Sequence, residues 1–271
     1  MQVVKASGER ERFNPGKIEH TLRRAGAPRE VRRRILSRIE EQVYDGITTS
    51  QILRLVRELL QREERSTGMR YELKGAIMRL GSGGFAFESY FAEVLESYGY
   101  ATVVGRRLEG RCATHEVDII AEVEGRRVMV ECKYHSSPGV YTNLKEALYT
   151  YMRFLDLKEG GSSLEEVWLV TNTKASRDAL RFARCRGMRL ITWHSPRGWS
   201  LRELVESKQL YPVTVLPSVD ADVLRRFTGA RLILARDLVE ADSAYVQLVT
   251  ELPEERLEMI LREARELVNG R

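Results

Sequence analysis

The stretch that most constrains the fold of this chain is "HEVDIIAEVEGRRVMVECKYH", residues 115–135. Polar and apolar residues alternate through it, which is typical of β-strands. Glu124-Gly125 divides the stretch as a two-residue loop, in which glycine supplies the positive φ that a tight hairpin needs. The sequence therefore predicts a β-hairpin in which Val123 pairs with Arg126, and this pairing sets the register of the two strands.

In this register Asp118 lies opposite Glu131, and Glu116 lies opposite Lys133. The other face is apolar and is expected to be the core side; it comprises Val117, Ile119, Ala121, Val123, Val128, Val130 and Cys132. Two facing carboxylates repel each other, and a divalent cation such as Mg²⁺, which binds carboxylate oxygens together with water or phosphate, removes that repulsion. A lysine on the same face can orient a water or a phosphate oxygen, so the set could hydrolyse a phosphodiester. The alternative is a solvated, charged face without a site.

The elements around the hairpin predict a mixed α/β sheet domain in the order αβββαβαβ. Helices are expected at 84–98, 142–156 and 175–186, and strands at 100–107, 115–123, 126–134, 167–172 and 188–194.

Asp118 followed by Glu131-Cys132-Lys133, in this order of elements, resembles the PD-(D/E)XK nuclease superfamily and is most similar to the Mrr-like restriction endonucleases. The resemblance implies that Asp118 and Glu131 bind Mg²⁺ or Mn²⁺ and that Lys133 is the catalytic lysine. Glu88, on the preceding helix, matches an acidic position that many members place beside the metal. Val117 stands where the motif name has proline, and Glu131 stands where several Mrr-like proteins have glutamine.

Other residues near the hairpin are open to two interpretations. We favour a structural role for His115. For His135, a role as phosphate contact or as acid and a place as an ordinary surface histidine are equally supported. Lys145 is a candidate for contact with DNA, although a solvated lysine is favoured. The tyrosine and phenylalanine spacing of "ALYTYMRF" favours core packing over base stacking. "TNTK" at 171–174 ends a strand, and substrate binding and helix capping explain it equally well.

Residues 1–80 are predicted to form a short hairpin over 2–13 and a helical region that opens at Asn14-Pro15. "GSGG" at 81–84 interrupts the pattern. These 80 residues contain 18 Lys and Arg but 11 Asp and Glu. Such a basic excess indicates a nucleotide or nucleic acid as partner, and the alternative is a solvated helix surface.

The strings "VVKASGERERFNPGKI" and "VYDGITTSQI" resemble the ATP-cone domain, a nucleotide-sensing module. The resemblance implies that ATP or dATP binds here as a regulatory ligand. The residues that match its nucleotide site are Val3, Lys5, Glu11, Asn14, Lys17 and Thr49. No P-loop motif is present, so we expect binding and regulation rather than ATP turnover. The alternative is a small helical domain with exposed lysines.

Residues 201–271 are predicted to be helical, with 10 Lys and Arg against 13 Asp and Glu. This negative balance argues against DNA binding and favours packing or oligomerisation. Three cysteines without paired spacing indicate neither a disulfide framework nor a zinc site. Because the sequence also has no apolar run long enough for a membrane span, we expect a cytoplasmic protein without membrane association.

Three domains are therefore expected: an ATP-cone at 1–80, an Mrr-like nuclease domain at 84–200 and a helical region at 201–271. The fusion resembles a prokaryotic family of ATP-cone, restriction-endonuclease-like proteins. It implies a Mg²⁺-dependent DNA endonuclease regulated by ATP or dATP, acting as a homodimer or higher homo-oligomer. The alternatives are a nucleotide-sensing DNA-binding protein with a non-catalytic nuclease fold, and a nuclease for RNA or branched DNA.

Overall fold

In the computed structural model, which describes residues 1–5, 7–83 and 86–270, the chain divides into two compact units. One combines Met1–Ala76 with Tyr211–Arg271, and the other is Ile77–Leu210. Gly84, where the sequence places the start of a helix and of a domain, lies outside the described residues.

The first unit contains three short strands and nine α-helices within the described part of the chain. The strands are β1 (Gln2–Val4), β2 (Arg10–Arg12) and β3 (Ile47–Thr48). The helices are α1 (Pro15–Arg24), α2 (Arg29–Gln42), α3 (Thr49–Glu63), α4 (Arg65–Tyr71), most of α5 (Leu73–Arg79), α10 (Ala221–Gly229), α11 (Ala235–Glu240), α12 (Ser243–Thr250) and α13 (Glu254–Asn269).

The second unit contains a mixed sheet and its covering helices. The strands are β4 (Ala101–Glu109), β5 (Thr114–Val123), β6 (Arg126–Lys133), β7 (Tyr141–Thr142), β8 (Glu166–Thr171), β9 (Lys174–Ala175) and β10 (Arg189–Ile191). The helices are α6 (Ala86–Glu96), α7 (Leu144–Glu159), α8 (Arg177–Cys185) and α9 (Leu201–Lys208), and a 3₁₀ turn spans Leu80–Gly83.

The N-terminal hairpin forms as the sequence predicts, with β1 and β2 antiparallel. Asn14 caps α1, since its side chain accepts a hydrogen bond from the Gly16 N–H at 2.9 Å. Strand β3 was not predicted from the sequence; it pairs in parallel with β1 through Val3 and Ile47. Thr48 then caps α3 in a reciprocal arrangement with Gln51, so strand and helix follow each other without a loop.

The C-terminal helices pack with the N-terminal residues of the same unit, and α13 lies against α4. Glu263 of α13 is 1% exposed and accepts a hydrogen bond from Arg65 at 3.0 Å. The guanidinium of Arg70 donates to the Ala25 carbonyl at 2.8 Å and to the Gly270 carbonyl at 2.6 Å. One arginine therefore satisfies carbonyls at the ends of both α1 and α13, where helices leave such groups unpaired.

The sheet of the second unit has the strand order β10-β8-β6-β5-β4. Strands β6, β8 and β10 run parallel, while β5 is antiparallel to both β4 and β6. The predicted αβββαβαβ order is confirmed, and a two-stranded sheet of β7 and β9 was not predicted. Helix α9 clusters with this unit rather than with the C-terminal region, because the Leu201 N–H donates to Thr192 and the Tyr98 hydroxyl donates to Leu204.

The central hairpin turns at Glu124 and Gly125, whose φ angles are 52° and 77°. Positive φ at both positions is what a type I′ turn requires. The ladder runs from Val123 opposite Arg126 to Ile119 opposite Val130, which is the predicted register. It stops there, so Asp118 and Glu131 are not a ladder pair.

The prediction of one apolar and one charged face is wrong for the middle of the hairpin. Ile120 and Met129, on the face expected to be charged, are buried in a cluster with residues of α7 and α8. Val117 belongs to the same cluster, although strict alternation would place it on the opposite face. The sheet is buried on both sides, because residues at the alternate positions, such as Ile119 and Val130, are also inaccessible. The predicted site residues Glu116, Asp118, Glu131 and Lys133 lie toward the ends of β5 and β6 that are far from the turn.

We expect Glu124→Asn to stabilise the protein. Left-handed backbone is strained for glutamate but tolerated by asparagine, and Asn-Gly is a favoured sequence for this turn. The free energy of unfolding should rise by about 1 kcal/mol, measured as a higher midpoint of thermal unfolding. Glu122→Asn, an exposed glutamate of β5, is the matched control and should give no increase. Equal stabilisation by both substitutions would contradict the turn argument.

Candidate functional site

Asp118 lies where the pairing of β5 and β6 ends. Its Oδ2 accepts a hydrogen bond from the backbone N–H of Cys132 at 2.7 Å, which fixes the carboxylate across the two strands. Burial raises the pKa of Asp118, and the bond from Cys132 opposes this shift. Asp118 thus lies beside the Glu131-Cys132-Lys133 segment, as predicted. The contact, however, is a hydrogen bond from the Cys132 backbone to the Asp118 side chain, and not a cross-strand pair of Asp118 with Glu131.

Glu131 is a largely buried carboxylate in an ion pair. Its Oε2 accepts from Arg153 at 2.5 Å, and the two side chains are 18% and 9% exposed. Burial and then the repulsion from Asp118 raise the pKa of Glu131 to about 7, while Arg153 acts in the opposite direction. The predicted metal ligand therefore already has a cationic partner.

Sequence reasoning missed Arg153. It lies in α7 among the buried positions of that helix, which also include Thr150 and Leu157. Arginine on such a stripe is rarely buried unless it is paired, and this mismatch between residue and position is the signal that could have pointed to it. The guanidinium also lies over the ring of Tyr149, 5.4 Å from its centroid. Arg153 thus connects Glu131 to a tyrosine on the surface of α7.

Glu88 of α6 adds a third acidic group. Burial raises its pKa to about 7, with further contributions from Asp118, Glu131 and Glu116. These repulsions indicate that the acids converge on one region. Among the described residues, however, no group of three or more His, Cys, Asp or Glu side chains is placed so that it could hold a metal ion.

Lys133 ends β6 and is partly buried. No ion pair or hydrogen bond of its side chain is found within the described residues, and in particular it does not pair with Glu116. Its positive charge nevertheless contributes to lowering the pKa of Asp118 and of Glu131, so the ammonium acts on these two acids without a direct contact.

The segment after Lys133 is braced by Asn172. The Asn172 amide accepts from the His135 N–H at 2.9 Å and donates to the His135 carbonyl at 2.9 Å. The imidazole Nε2 of His135 lies 3.0 Å from the Thr142 hydroxyl, and burial lowers the pKa of this histidine. Helix α8 is capped by Ser176, so the capping explanation of "TNTK" is wrong and Asn172 instead extends the strand pairing.

His115 has the structural role that the sequence favoured. Its Nε2 lies 2.7 Å from Asp156, which also accepts hydrogen bonds from the backbone of Cys112 and Ala113. The hydrogen bond with His115 is the largest of the causes that lower the pKa of Asp156. Asp156 therefore holds the β4–β5 connection against α7.

A second candidate site is a cavity of about 240 Å³ in the first unit. Its walls are formed by residues of β1, β2, α1, α3 and α4. Of the six residues matched to the ATP-cone, five line this cavity: Val3, Glu11, Asn14, Lys17 and Thr49. Lys5 does not line it, but its Nζ lies 3.0 Å from Glu11. Glu11 also accepts from Lys17 at 2.8 Å, so one glutamate holds both lysines.

Comparison with known proteins identifies the class of each region. The ATP cone domain model matches residues 1–72, and a model described as restriction endonuclease matches residues 81–195. A third model, described as AF1548-like, C-terminal, matches residues 211–268. The chain is thus an ATP-cone domain joined to a restriction-endonuclease-like domain.

An uncharacterized protein of Archaeoglobus fulgidus is 38% identical over 177 residues, which is 65% of this chain and 99% of the relative. The chain belongs to the same family as that protein. The crystal structure of the protein of unknown function AF1548 matches with a TM-score of 0.62 at 38% identity, over 68% of this chain and 97% of that one. The structure of VC1899 from Vibrio cholerae gives a TM-score of 0.29 at 16% identity, over 67% of this chain and 54% of that one. No helix within the described residues could cross a membrane.

We expect Arg153→Met to destabilise the protein by about 3–5 kcal/mol, because it leaves Glu131 buried without a counter-charge. Adding Glu131→Gln to the same chain should restore most of the loss, since the remaining group is neutral. Thermal or urea unfolding of the four proteins of this cycle measures the coupling.

The matched control is Arg111→Met. Arg111 pairs with Glu159 at 3.4 Å, but these side chains are 69% and 56% exposed. Exposed pairs contribute roughly 0–1 kcal/mol, so this substitution should change little. If Arg153→Met were as mild as Arg111→Met, the buried ion pair would not be an important source of stability.

Proposed function

We propose that the protein is a metal-dependent DNA endonuclease whose activity responds to ATP or dATP bound by the N-terminal cone. The observation that carries this proposal is the convergence of Asp118, Glu131 and the unpaired Lys133 at the ends of β5 and β6. Asp118 contributes to raising the pKa of both Glu131 and Glu88, and Glu131 contributes to raising that of Glu88. Burial of mutually repelling carboxylates is costly for folding and is typical of sites that gain a cation.

The donor set fits Mg²⁺ or Mn²⁺. Asp118 and Glu131 offer carboxylate oxygens only, and Mg²⁺ in enzymes is commonly held by one or two carboxylates, with water and substrate phosphate completing its shell. When bound, the cation would supply charge for the phosphoryl oxygens and an acidified water.

The remaining steps belong to residues of the chain. The Cys132 N–H keeps Asp118 in one orientation, so this carboxylate needs no rearrangement to receive a ligand. Lys133, whose ammonium makes no direct ion pair or hydrogen bond within the described residues but acts electrostatically on Asp118 and Glu131, would orient the attacking water or a non-bridging phosphate oxygen. Glu88, whose pKa lies at about 7, would accept a hydrogen bond or a proton beside the reacting centre.

The cone would bind the nucleotide in the 240 Å³ cavity. Thr49 is the first residue of α3, and the positive end of a helix favours phosphate. Lys5 and Lys17 are both engaged by Glu11, so phosphate would compete with this glutamate for the lysines. By displacing Glu11 from the lysines, the bound nucleotide would rearrange the N-terminal hairpin of β1 and β2. We further propose that a homodimer or higher homo-oligomer, in the cytoplasm, places one site on each DNA strand.

One observation favours a second candidate, a nucleotide-sensing DNA-binding protein without catalysis. The ion pair with Arg153 already neutralises Glu131, as it would if no metal were ever bound there. In the nuclease, by contrast, the cation would have to share this carboxylate with Arg153 or displace it.

Cleavage of supercoiled and linear DNA with Mg²⁺ or Mn²⁺ decides between these candidates. We expect the wild type to cut only with the cation, and Lys133→Ala and Glu131→Ala to lose about 100-fold or more in rate, as is typical for removing a group that stabilises the transition state. Lys158→Ala, which changes an exposed lysine of α7, should cut like the wild type.

Binding of the same DNA should be measured beside the cleavage. DNA binding without cutting, with or without metal and in wild type and variants alike, would support the non-catalytic candidate. Cutting that survives in Glu131→Ala would exclude Glu131 as a required ligand, and cutting that survives in Lys133→Ala would exclude the proposed role of that lysine.

Nucleotide binding to the cone is tested by calorimetry with ATP and dATP. We expect Lys17→Ala to weaken binding by about tenfold or more, because hydrogen bonds to charged groups are worth about 1.5–3 kcal/mol. Lys74→Ala, on α5 of the same unit, is the control and should bind normally. Unchanged affinity in Lys17→Ala would show that this lysine does not contact the phosphates.

A further inference from the structure

The beginning of α7 and the strand before it expose an unusual set of large side chains. Tyr149 is 63% exposed, Met152 59% and Tyr141 49%, and Leu148 is also exposed. The sequence predicted that the aromatic residues of "ALYTYMRF" pack in the core. This is right for Phe154, which is buried, but wrong for Tyr149, because the buried side of α7 instead runs through Ala147, Thr150 and Phe154.

Tyr149 is linked to the acidic site by direct contacts. Its ring lies against the guanidinium of Arg153, and the same guanidinium donates to Glu131. A single side chain therefore separates this exposed ring from a proposed metal ligand.

Tyr141 is linked to the segment that follows Lys133. Its neighbour Thr142 lies at hydrogen-bond distance from the imidazole of His135, and His135 follows Lys133 by two residues. Tyr149 is thus connected to Glu131 through Arg153 of α7, and Tyr141 is connected to the segment after β6 through Thr142 of β7.

The charges beside these rings are positive. The Nζ of Lys174 lies 5.9 Å from the centroid of Tyr141, and Lys145 is exposed on α7. Within the described residues neither lysine has an ion pair. The nearby Glu146 is engaged in capping α7, since it accepts from the Asn143 N–H at 2.9 Å. Lysines without acidic partners can bind the phosphates of a polyanion, and the aromatic rings can stack on its bases.

We propose that this tyrosine face, defined as Tyr141, Lys145, Leu148, Tyr149, Met152 and Lys174, binds unpaired bases of a single-stranded DNA segment. The inference rests on the proposed nuclease function and specifies its substrate. Bases expose their flat faces only where they are unpaired, and aromatic side chains then bind them by stacking, with lysines beside the phosphates. A continuous duplex would present phosphates to the lysines but nothing to the rings. The face therefore selects strands that are open next to the scissile bond.

Binding is measured on the full-length protein in EDTA, where a metal-dependent nuclease does not cut. The probes are a fluorescein-labelled oligothymidylate and the same strand annealed to its complement, followed by fluorescence anisotropy. We expect preference for the single strand. Tyr149→Ala should weaken that binding by roughly fivefold to 100-fold, the equivalent of one lost stacking contact, whereas duplex affinity should change little.

Tyr149→Phe and Tyr245→Ala are the matched variants. Phenylalanine keeps a ring for stacking and should bind like the wild type. Tyr245 is a comparably exposed tyrosine of α12, and its loss should have no effect. If Tyr149→Ala binds the single strand like the wild type, or if Tyr149→Phe is as weak as Tyr149→Ala, the stacking proposal is overturned.

Two further readouts separate this proposal from the proposed function. If Tyr149→Ala cuts and binds all DNA forms like the wild type, the nuclease stands and the tyrosine face fails. If the wild type binds neither probe and cuts no DNA, the proposed function itself fails. Sedimentation of the wild type and of Tyr149→Ala tests whether a second copy of the chain, rather than DNA, binds the tyrosine face. If the wild type is a dimer, Tyr149→Ala is a monomer and the affinity for single strands is unchanged, the proposal is overturned.

Discussion

The register of the β5–β6 hairpin is the constraint on which the candidate site depends. Two residues with positive φ, Glu124 and Gly125, set that register, and a slip of one residue would exchange the two faces of a strand. Asp118 would then no longer meet the Cys132 N–H, and Glu131 would turn away from Arg153. The turn lies at the opposite end of the strands from Asp118 and Glu131. The position of these two acids is therefore determined by backbone geometry several residues away.

The candidate site contains three carboxylates whose negative charge is only partly balanced by positive groups. Arg153 is ion-paired with Glu131. Asp118 is stabilised by the Cys132 N–H and by the charges of Arg153 and Lys133, whereas Glu88 relies on partial exposure. Such a balance is unfavourable for folding, because desolvated carboxylates repel each other. The sheet buries apolar residues on both faces, and its incompletely compensated carboxylates are gathered at the ends of β5 and β6.

Most of the fold could be predicted from the sequence because its signals are local. The hairpin turn, the Asn14 cap and the αβββαβαβ order each depend on neighbouring residues. The failures are non-local. Arg153 reaches Glu131 across 22 positions in sequence, and the two-residue strand β3 is too short to give a periodic pattern. The exposure of Tyr149 depended on which face of α7 meets the sheet, a choice that composition alone did not determine.

The site residues illustrate the same limit. Matching to a family pattern placed Asp118, Glu131 and Lys133 on adjacent strands, which the register supports. It could not show that Glu131 is ion-paired, that Lys5 lies outside the cone cavity, or that Asn172 braces His135. Each of these depends on side-chain contacts between segments that the sequence separates.

The packing of α13 against α4 has a consequence for synthesis of the protein. Arg65 and Glu263 are 198 residues apart in sequence, yet they meet within one compact unit. Ribosomes add about 5–20 residues per second, so α4 emerges roughly 10–40 seconds before the helix that covers it. During that interval the whole second unit is translated and can fold, while the first unit remains incomplete. The N-terminal residues, whose own core cluster lies between Val3 and Leu60, therefore complete their packing against α13 only when the chain is almost finished.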